Sequence, residues 1–301
     1  MKAIMVKGSG GPEVLVLTEI ERPKPRRGEL LVRVKAATVT AGDAKLRSMS
    51  RAILVPLGLL FGFKPMEVAG VEFAGIVEEL GAEVTGYTPG DRVLGTTTGL
   101  ARGANAEFVL VPVRSRMGVL VSLPDNISFE DGAALPVGSM TAWQLLRKAG
   151  SLEGKRVLVN GASGSVGSFA VQLAVQHGAI VSAFCSAANT AMVSSLGAAR
   201  VLDYQSQALS EAGAQDIVFD AVGKLSRRAC ASILAKGGAF VSVRSPTSEK
   251  AEDLRYLVGL AAEGRLRPFI DRRIRLEDVP EAHRIVDSGR KRGNIVVLMD
   301  S

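Results

Sequence analysis

Residues 156–177 constrain this chain more than any other stretch. Arg156-Val-Leu-Val-Asn160 is a short aliphatic run that ends without a break in Gly161-Ala-Ser-Gly-Ser-Val-Gly167, after which Phe169, Val171, Leu173 and Ala174 follow at helical spacing. A strand that enters a helix through a glycine turn needs a crossover to reach its neighbour, and crossovers build parallel sheets with helices on both faces. The stretch therefore predicts the first βαβ unit of a doubly wound sheet. In such a turn Gly164 lets the backbone approach a pyrophosphate and Gly167 lets the helix lie close to the strand, while the helix start offers unpaired N–H groups to the anion. Ala162 stands where the usual fingerprint has its first glycine. Ser163, Ser165 and Val166 complete the expected dinucleotide cradle.

The same rhythm continues with runs at 180–185, 200–202, 216–220 and 239–243 and a helix-like stretch at 190–196. Residues before about 123 read differently. Near-alternating or β-branched runs at 29–37, 68–80, 91–95 and 106–112 are separated by Gly10-Gly-Pro12, Pro23, Pro25, Gly86 and Pro89-Gly90, a pattern of short strands and turns that predicts a distorted barrel. After Pro246 the spacing predicts a helix at 249–263, a short run at 269–274, a helix at 277–288 and a strand at 294–299 that could return to the first domain. The expected fold class is α/β, with a β-rich domain at 1–123, a nucleotide-binding domain at 124–253 and a return segment at 254–301. A length of 301 residues suits two domains with a core each.

The end of the second strand, at Cys185-Ser186, is where a site for NAD would place an Asp or Glu on the ribose hydroxyls. No acidic residue occurs between Ser165 and Leu202. Ser186, Asn189 and Tyr204 could each hydrogen-bond a 2′-phosphate, so NADPH is expected as the cofactor and NADH as a weaker alternative. No Lys or Arg stands at the strand end, which keeps the expected preference modest. The alternative is that these polar groups only cap the next helix.

Composition excludes some classes and chooses none. Lysine and arginine total 37 against 30 acidic residues, a net +7 that permits an anionic ligand without selecting one. The two cysteines, Cys185 and Cys230, form no Cys-x-x-Cys pair, so neither structural zinc nor a disulfide framework is expected. No apolar run approaches the ~20 residues of a membrane span. A cytoplasmic location follows as the default expectation, since no secretory or transit pattern is seen. The uncharged segment 52–63, Ala-Ile-Leu-Val-Pro-Leu-Gly-Leu-Leu-Phe-Gly-Phe, is open to three readings: packing against the barrel, the wall of a lipophilic pocket, or a membrane-surface contact.

Taken in order, Val68-Ala-Gly-Val-Glu-Phe-Ala-Gly-Ile-Val77, Pro89-Gly-Asp-Arg-Val93, Leu123-Pro-Asp-Asn126, Ala133-Ala-Leu-Pro136 with Thr141-Ala-Trp143, the glycine turn, Ser195-Leu-Gly-Ala198 with Leu202-Asp-Tyr204, and Asp220-Ala-Val-Gly223 carry a resemblance over nearly the whole chain. The chain resembles the medium-chain dehydrogenase/reductase superfamily in its zinc-free quinone oxidoreductase branch, near the alkenal/one oxidoreductases and chloroplast-envelope quinone oxidoreductases. The resemblance implies a GroES-like catalytic domain built from both chain ends, with a Rossmann domain inserted between them.

In the zinc-dependent members a Cys follows an early strand and a His sits in Gly-His-Glu. The matching stretches here read Thr38-Val-Thr-Ala-Gly-Asp43 and Gly70-Val71-Glu72, so the resemblance implies no metal and hydride transfer to a quinone or an α,β-unsaturated aldehyde or ketone. It places Thr40, Asp43 and Lys45 at the pocket, with a bare helix-start pair as the alternative for Asp43 and Lys45. Thr141 would stand at the nicotinamide end, Val222 in the cofactor set, and the backbone near Ser242 and Val243 at the carboxamide. Of possible acids, His177 and His283 read as structural, Tyr87 lies in a turn and Tyr256 has no clear part, so solvent is the expected proton source.

A different class, a nucleotide-holding protein with little turnover that could bind RNA, is motivated by Arg272-Arg273 and Arg290-Lys-Arg292. No aromatic residues interleave these clusters, so nucleic acid is not expected. The short stretch after Pro246 leaves little room for the edge strand that pairs relatives across a dimer, which favours a monomer.

Overall fold

The computed structural model describes residues 1–299. The chain opens with β1 (Lys2–Val6) and β2 (Leu15–Glu19), an antiparallel pair. The long strand β3 (Glu29–Val39) leads through Thr40 into helix α1 (Ala41–Ser48), and α2 (Arg51–Phe61) follows. Then come β4 (Glu72–Leu80), β5 (Arg92–Thr96), β6 (Phe108–Pro112), β7 (Leu120–Ser122) and helix α3 (Phe129–Ala134). Helix α4 (Pro136–Ala149) begins the passage into the second unit.

That unit contains β8 (Arg156–Asn160), α5 (Ser165–Gln176), β9 (Ile180–Cys185), α6 (Thr190–Ser195), β10 (Arg200–Asp203), β11 (Gln215–Asp220) and β12 (Leu234–Ser242). Its five strands are all parallel and lie in the order β10-β9-β8-β11-β12. The order reverses beside β8, the strand that the glycine turn follows, as a doubly wound sheet requires at its ligand crevice. Central strands here are apolar on both faces because helices cover both, and Leu158, Phe184, Leu202 and Val218 form part of one buried cluster. Between β11 and β12 the link at 221–233 is made of turns instead of a regular helix.

The chain then returns to the first unit with α7 (Ala251–Ala262), β13 (Ile270–Arg275), α8 (Val279–Asp287) and β14 (Asn294–Leu298). Residues 295–298 of β14 pair antiparallel with 36–39 of β3, while β6 pairs with 29–33 on the same strand and β4 takes its other edge. One long strand therefore holds three neighbours. Its core joins Leu30, Val32, Phe73, Val93, Ile295 and Val297 with Leu276 and Val279.

The two units are Met1–Val137, Glu249–Ala262 and Ile270 onward in one, and Gly138–Ser248 with Glu263–Phe269 in the other. These divisions fall at 137 and 248, where the sequence suggested 123 and 253. Side chains explain the shift. Helix α3 packs on β3, β4 and β14, with Gly132 set close to Leu123 and Ala74, and the Asn126 Nδ2 donates to Ala262 O at 2.8 Å, so both 124–137 and α7 belong with the first unit. Residues 263–269 go with the second because Gln172 both donates to Arg267 O and accepts from Arg267 N, each at 2.9 Å.

Segment 52–63 forms most of α2. Ser50 caps its start through Ala52 N, Gly62 ends it in the left-handed region at φ 77°, and only Leu54 and Gly58 are buried.

Candidate active site

The second unit presents its strand ends and glycine turn together. Gly161 holds φ 76°, and a Cβ at Gly167 would come 2.1 Å from Gly161 O, so only glycine lets α5 sit this tightly on the turn. A Cβ at Gly164 would meet nothing nearer than 3.5 Å, which leaves the space in front of that residue open. No side chain caps α5, so its first-turn N–H groups face outward unspent. Ser163, Ser165 and Val166 are half-buried around them. Ala162 is fully buried and donates its amide to Phe184 O at 3.1 Å, so it contributes shape and no donor. Thr141 lies one turn along α4 from Gly138, the residue that faces Ser165 and Phe169.

At the end of β9 three expected residues meet. Asn189 Nδ2 donates to Ser163 Oγ and to Ser186 Oγ, both at 3.1 Å, which leaves the two hydroxyl protons to point elsewhere. Asn189 Oδ1 is buried with no partner among the described residues. Tyr204 is exposed, its amide bound to Cys185 O at 3.1 Å. One neighbour is new: the β9–β10 register sets Asp203 beside Cys185, with its carboxylate taking Gln205 N and Ser206 Oγ at 3.1 Å each. Burial, with Asp203 adding to it, pushes the Cys185 thiol up to about 11.

Asp220, fully buried at the end of β11, ties the remaining strand ends. Its carboxylate accepts from Asn160 Nδ2 at 2.9 Å, Val222 N at 3.1 Å, Leu225 N at 2.9 Å and Ser242 Oγ at 3.3 Å, and its carbonyl takes Val243 N at 3.0 Å. The amides of Val222 and Val243 and the Ser242 hydroxyl are thus committed to Asp220. Val222 offers an exposed side chain that packs over Gly161.

In the first unit Thr40 caps α1 in a reciprocal box. Asp43 N donates to Thr40 Oγ1 at 3.1 Å, and Asp43 Oδ2 accepts from Thr40 N at 2.8 Å and Thr40 Oγ1 at 2.6 Å. Asp43 is buried and its Oδ1 has no partner among the described residues. Lys45 points to solvent and does not meet it. The cation near Asp43 is Lys291, half-buried before β14, whose Nζ donates to Val39 O at 3.3 Å and whose charge also acts on Glu72.

Glu72 accepts from Thr38 Oγ1 and, at 2.6 Å, from Val137 N. Burial pushes its carboxyl up to about 7, against the pull of Thr38, Val137 and Lys291. Burial likewise raises Asp43 and lowers Lys291. Sequence reading missed Glu72 and Lys291. The signal for Glu72 was its place beside Val71, whereas Lys291 gave none beyond a basic cluster.

Beside this group lies a cavity of about 210 Å³ lined by Leu46, Leu54, Phe63, Met66, Val71 and Met117, with Thr97, Thr98 and Arg47 as polar wall. Thr40, Asp43 and Lys45 do not line it. Glu249 stands behind Thr98, taking its hydroxyl at 2.6 Å and that of Thr96 as well, and burial raises its carboxyl. Arg47 is buried, bound to Asp287 Oδ2 at 2.6 Å and Gly10 O at 3.0 Å. His283 is buried with neither ring nitrogen partnered among the described residues and is held down to about 4, first by burial and then by Arg47. His177 closes α5 by its contact to Leu173 O at 2.7 Å. Neither histidine lines the cavity. Among the described residues no group of three His, Cys, Asp or Glu could hold a metal ion.

A doubly wound unit with an open glycine turn, on a chain whose other unit is a β-rich fold with an apolar cavity, has the parts of a dinucleotide-dependent enzyme. The comparisons agree. The alcohol dehydrogenase GroES-like domain family matches residues 26–125, and the zinc-binding dehydrogenase family matches 244–297, a stretch with no cysteine and His283 as its one histidine. The 2-methylene-furan-3-one reductase of Solanum lycopersicum is 30% identical over 99% of this chain and 79% of its own length. The chloroplastic quinone-oxidoreductase homolog of Spinacia oleracea is 36% identical over 68% of this chain, a match spanning 61% of that relative. The solved quinone oxidoreductase of Coxiella burnetii superposes with a TM-score of 0.85 at 28% identity, covering 100% of this chain and 99% of its own. The chain belongs to the medium-chain dehydrogenase/reductase superfamily, in its zinc-free quinone and enone oxidoreductase branch. It is an NAD(P)H oxidoreductase.

Proposed function

We propose that this chain carries hydride from NADPH, with NADH the weaker donor, to a small lipophilic quinone or α,β-unsaturated aldehyde or ketone, with no metal in the step. The observation that carries this reading is Val71: at the position where metal-dependent relatives hold histidine, this chain has an aliphatic side chain forming the wall of an apolar cavity. A cavity of about 210 Å³ exceeds the ~150 Å³ that accepts benzene in an apolar core, so a small ring or enone fits.

The second unit suits the cofactor. The uncapped start of α5 and the open face of Gly164 would hold the pyrophosphate, the Ser163 and Ser186 hydroxyls the ribose phosphate, and Thr141 the nicotinamide end. Bound there, the reduced nicotinamide supplies hydride. The apolar walls keep water from the acceptor and fix its orientation, which is the larger part of what such a site contributes. No carboxylate or imidazole lines the cavity, so the proton that completes reduction comes from solvent once the reduced acceptor leaves the apolar walls.

Lys291 is half-buried, Arg273 pairs with Glu130, and Arg272 and Arg292 pair with Asp271, so most charges of the two basic clusters already meet acidic partners at the surface of the fold, which favours no nucleic-acid site. Two buried free thiols suit a reducing compartment such as the cytoplasm.

The test is steady-state NADPH oxidation against quinones, enals and enones in the presence of chelator. Turnover with at least one acceptor, unchanged by chelator, is expected. NADPH binding without turnover on any acceptor would establish a nucleotide-holding protein instead, and one zinc per chain, lost together with activity, would overturn the metal-free step.

A further inference from the structure

Helix α2 is apolar on every side. Leu54 and Gly58 face the core, while the opposite face carries Ile53, Val55, Leu59 and Leu60, with Leu59 85% and Leu60 74% exposed and Phe61 at 66% closing the last turn. A surface helix normally turns charged residues outward, and one that is hydrophobic all round is normally covered. At about 1.5 Å per residue its 11 residues reach roughly half the thickness of a bilayer core, so it cannot span. No helix among the described residues can.

The charges around it are of one sign. Between Asp43 and Glu67 there is no acidic residue, but there are Lys45, Arg47, Arg51 and Lys64. Arg47 is buried against Asp287, whereas Lys45, Arg51 and Lys64 are exposed and enter no ion pair among the described residues. A second copy meeting this face through its own α2 would set those cations against their like. An anionic lipid surface meets them with opposite charge and takes the apolar side chains into its acyl boundary. The inner side of the same segment, through Leu54, Phe63 and the stems of Arg51 and Lys64, walls the cavity.

We propose that α2 docks this chain on an anionic lipid surface, with Leu59, Leu60 and Phe61 entering the acyl boundary and Arg51 and Lys64 meeting the headgroups, so that the cavity behind the helix takes its acceptor from the bilayer. The last clause rests on the acceptor reading above; the docking does not.

Sedimentation with vesicles reads the docking without turnover. The chain should bind vesicles of phosphatidylcholine with about one-third phosphatidylglycerol at least tenfold more tightly than phosphatidylcholine alone, and high salt should weaken that binding. The double variant L59E/L60E should lose sedimentation while keeping its thermal midpoint and NADPH affinity, because both leucines are exposed. Wild-type chain that stays in the supernatant, or a double variant that sediments like wild type, would overturn the proposal. So would a wild-type mass near 63 kDa, twice the 31.6 kDa chain, that L59E/L60E halves, since a second copy would then cover the helix. Vesicle binding together with no turnover on the acceptor panel would retire the acceptor clause alone.

Discussion

A carboxyl taken out of water lowers its cost by holding a proton or by meeting a cation, and the pair formed by Glu72 and Asp43 with Lys291 uses both. The folded chain holds the Glu72 proton up to about pH 7 against an ordinary 4.5, so it binds that proton more tightly than the unfolded chain does. Stability from this group is therefore complete below 4.5 and declines as pH rises through 7, by at most about 3 kcal/mol at ~1.36 kcal/mol per unit. Glu72→Gln should flatten the dependence of the melting temperature on pH between 5 and 8. Parallel curves for variant and wild type would show that Glu72 is ionised throughout. At the ribose end, Ser186→Asp should weaken NADPH at least about tenfold by charge repulsion while NADH changes less, as calorimetric titration would read. Equal affinities of the wild type for the two cofactors would remove the phosphate site. Sequence identified the small polar residues here because they follow a recognisable strand end, and Ser163, Ser186 and Asn189 do meet. The resemblance assigned Lys45 to the pocket because relatives carry a Lys two residues after the matching aspartate. The cation that Asp43 meets, Lys291, arrives from the far end of the chain, and no local pattern announces it.

Among the elements, β8 and α5 were legible because periodicity and glycine spacing are local properties, and β9 was read to its observed ends. Segment 52–63 was noticed but not typed, since a uniformly apolar run has no helical period. The link at 221–233 was expected to follow the βα rhythm and instead turns. Helix α5 gives a direct test of the turn: Gly167→Ala forces a methyl to within 2.1 Å of Gly161 O, and should cost about 1–3 kcal/mol in denaturant unfolding and remove NADPH binding by fluorescence titration. Unchanged binding would mean that the turn does not form the cradle. Helix α1 is more modest. Thr40→Ala removes its cap and both Thr40 side-chain contacts to Asp43, for an expected loss of about 1–2 kcal/mol.

For the molecule as a whole, the doubly wound sheet ends at β12, which has a neighbour on one side only. That outer edge is poorly made for pairing: Gly237 takes φ 78°, the register with β11 shifts between Gln215 and Ile217, and the exposed Lys236 sits at the irregularity. Light scattering without lipid should therefore give a mass near 31.6 kDa, and a mass near twice that would show another surface pairing. The general plan of two chain ends around an inserted nucleotide unit was legible. The divisions at 137 and 248 were not, because they are set by which sheet each flanking helix packs on. The pairing of β14 with residues 36–39 has a consequence for synthesis. A ribosome delivers β3 early, then the whole nucleotide unit, and only afterwards the strand that covers that edge. Through most of translation Ala36, Ala37 and Val39 stand at an open, apolar edge, so the nascent chain carries its greatest hazard of joining a neighbour before it can finish itself.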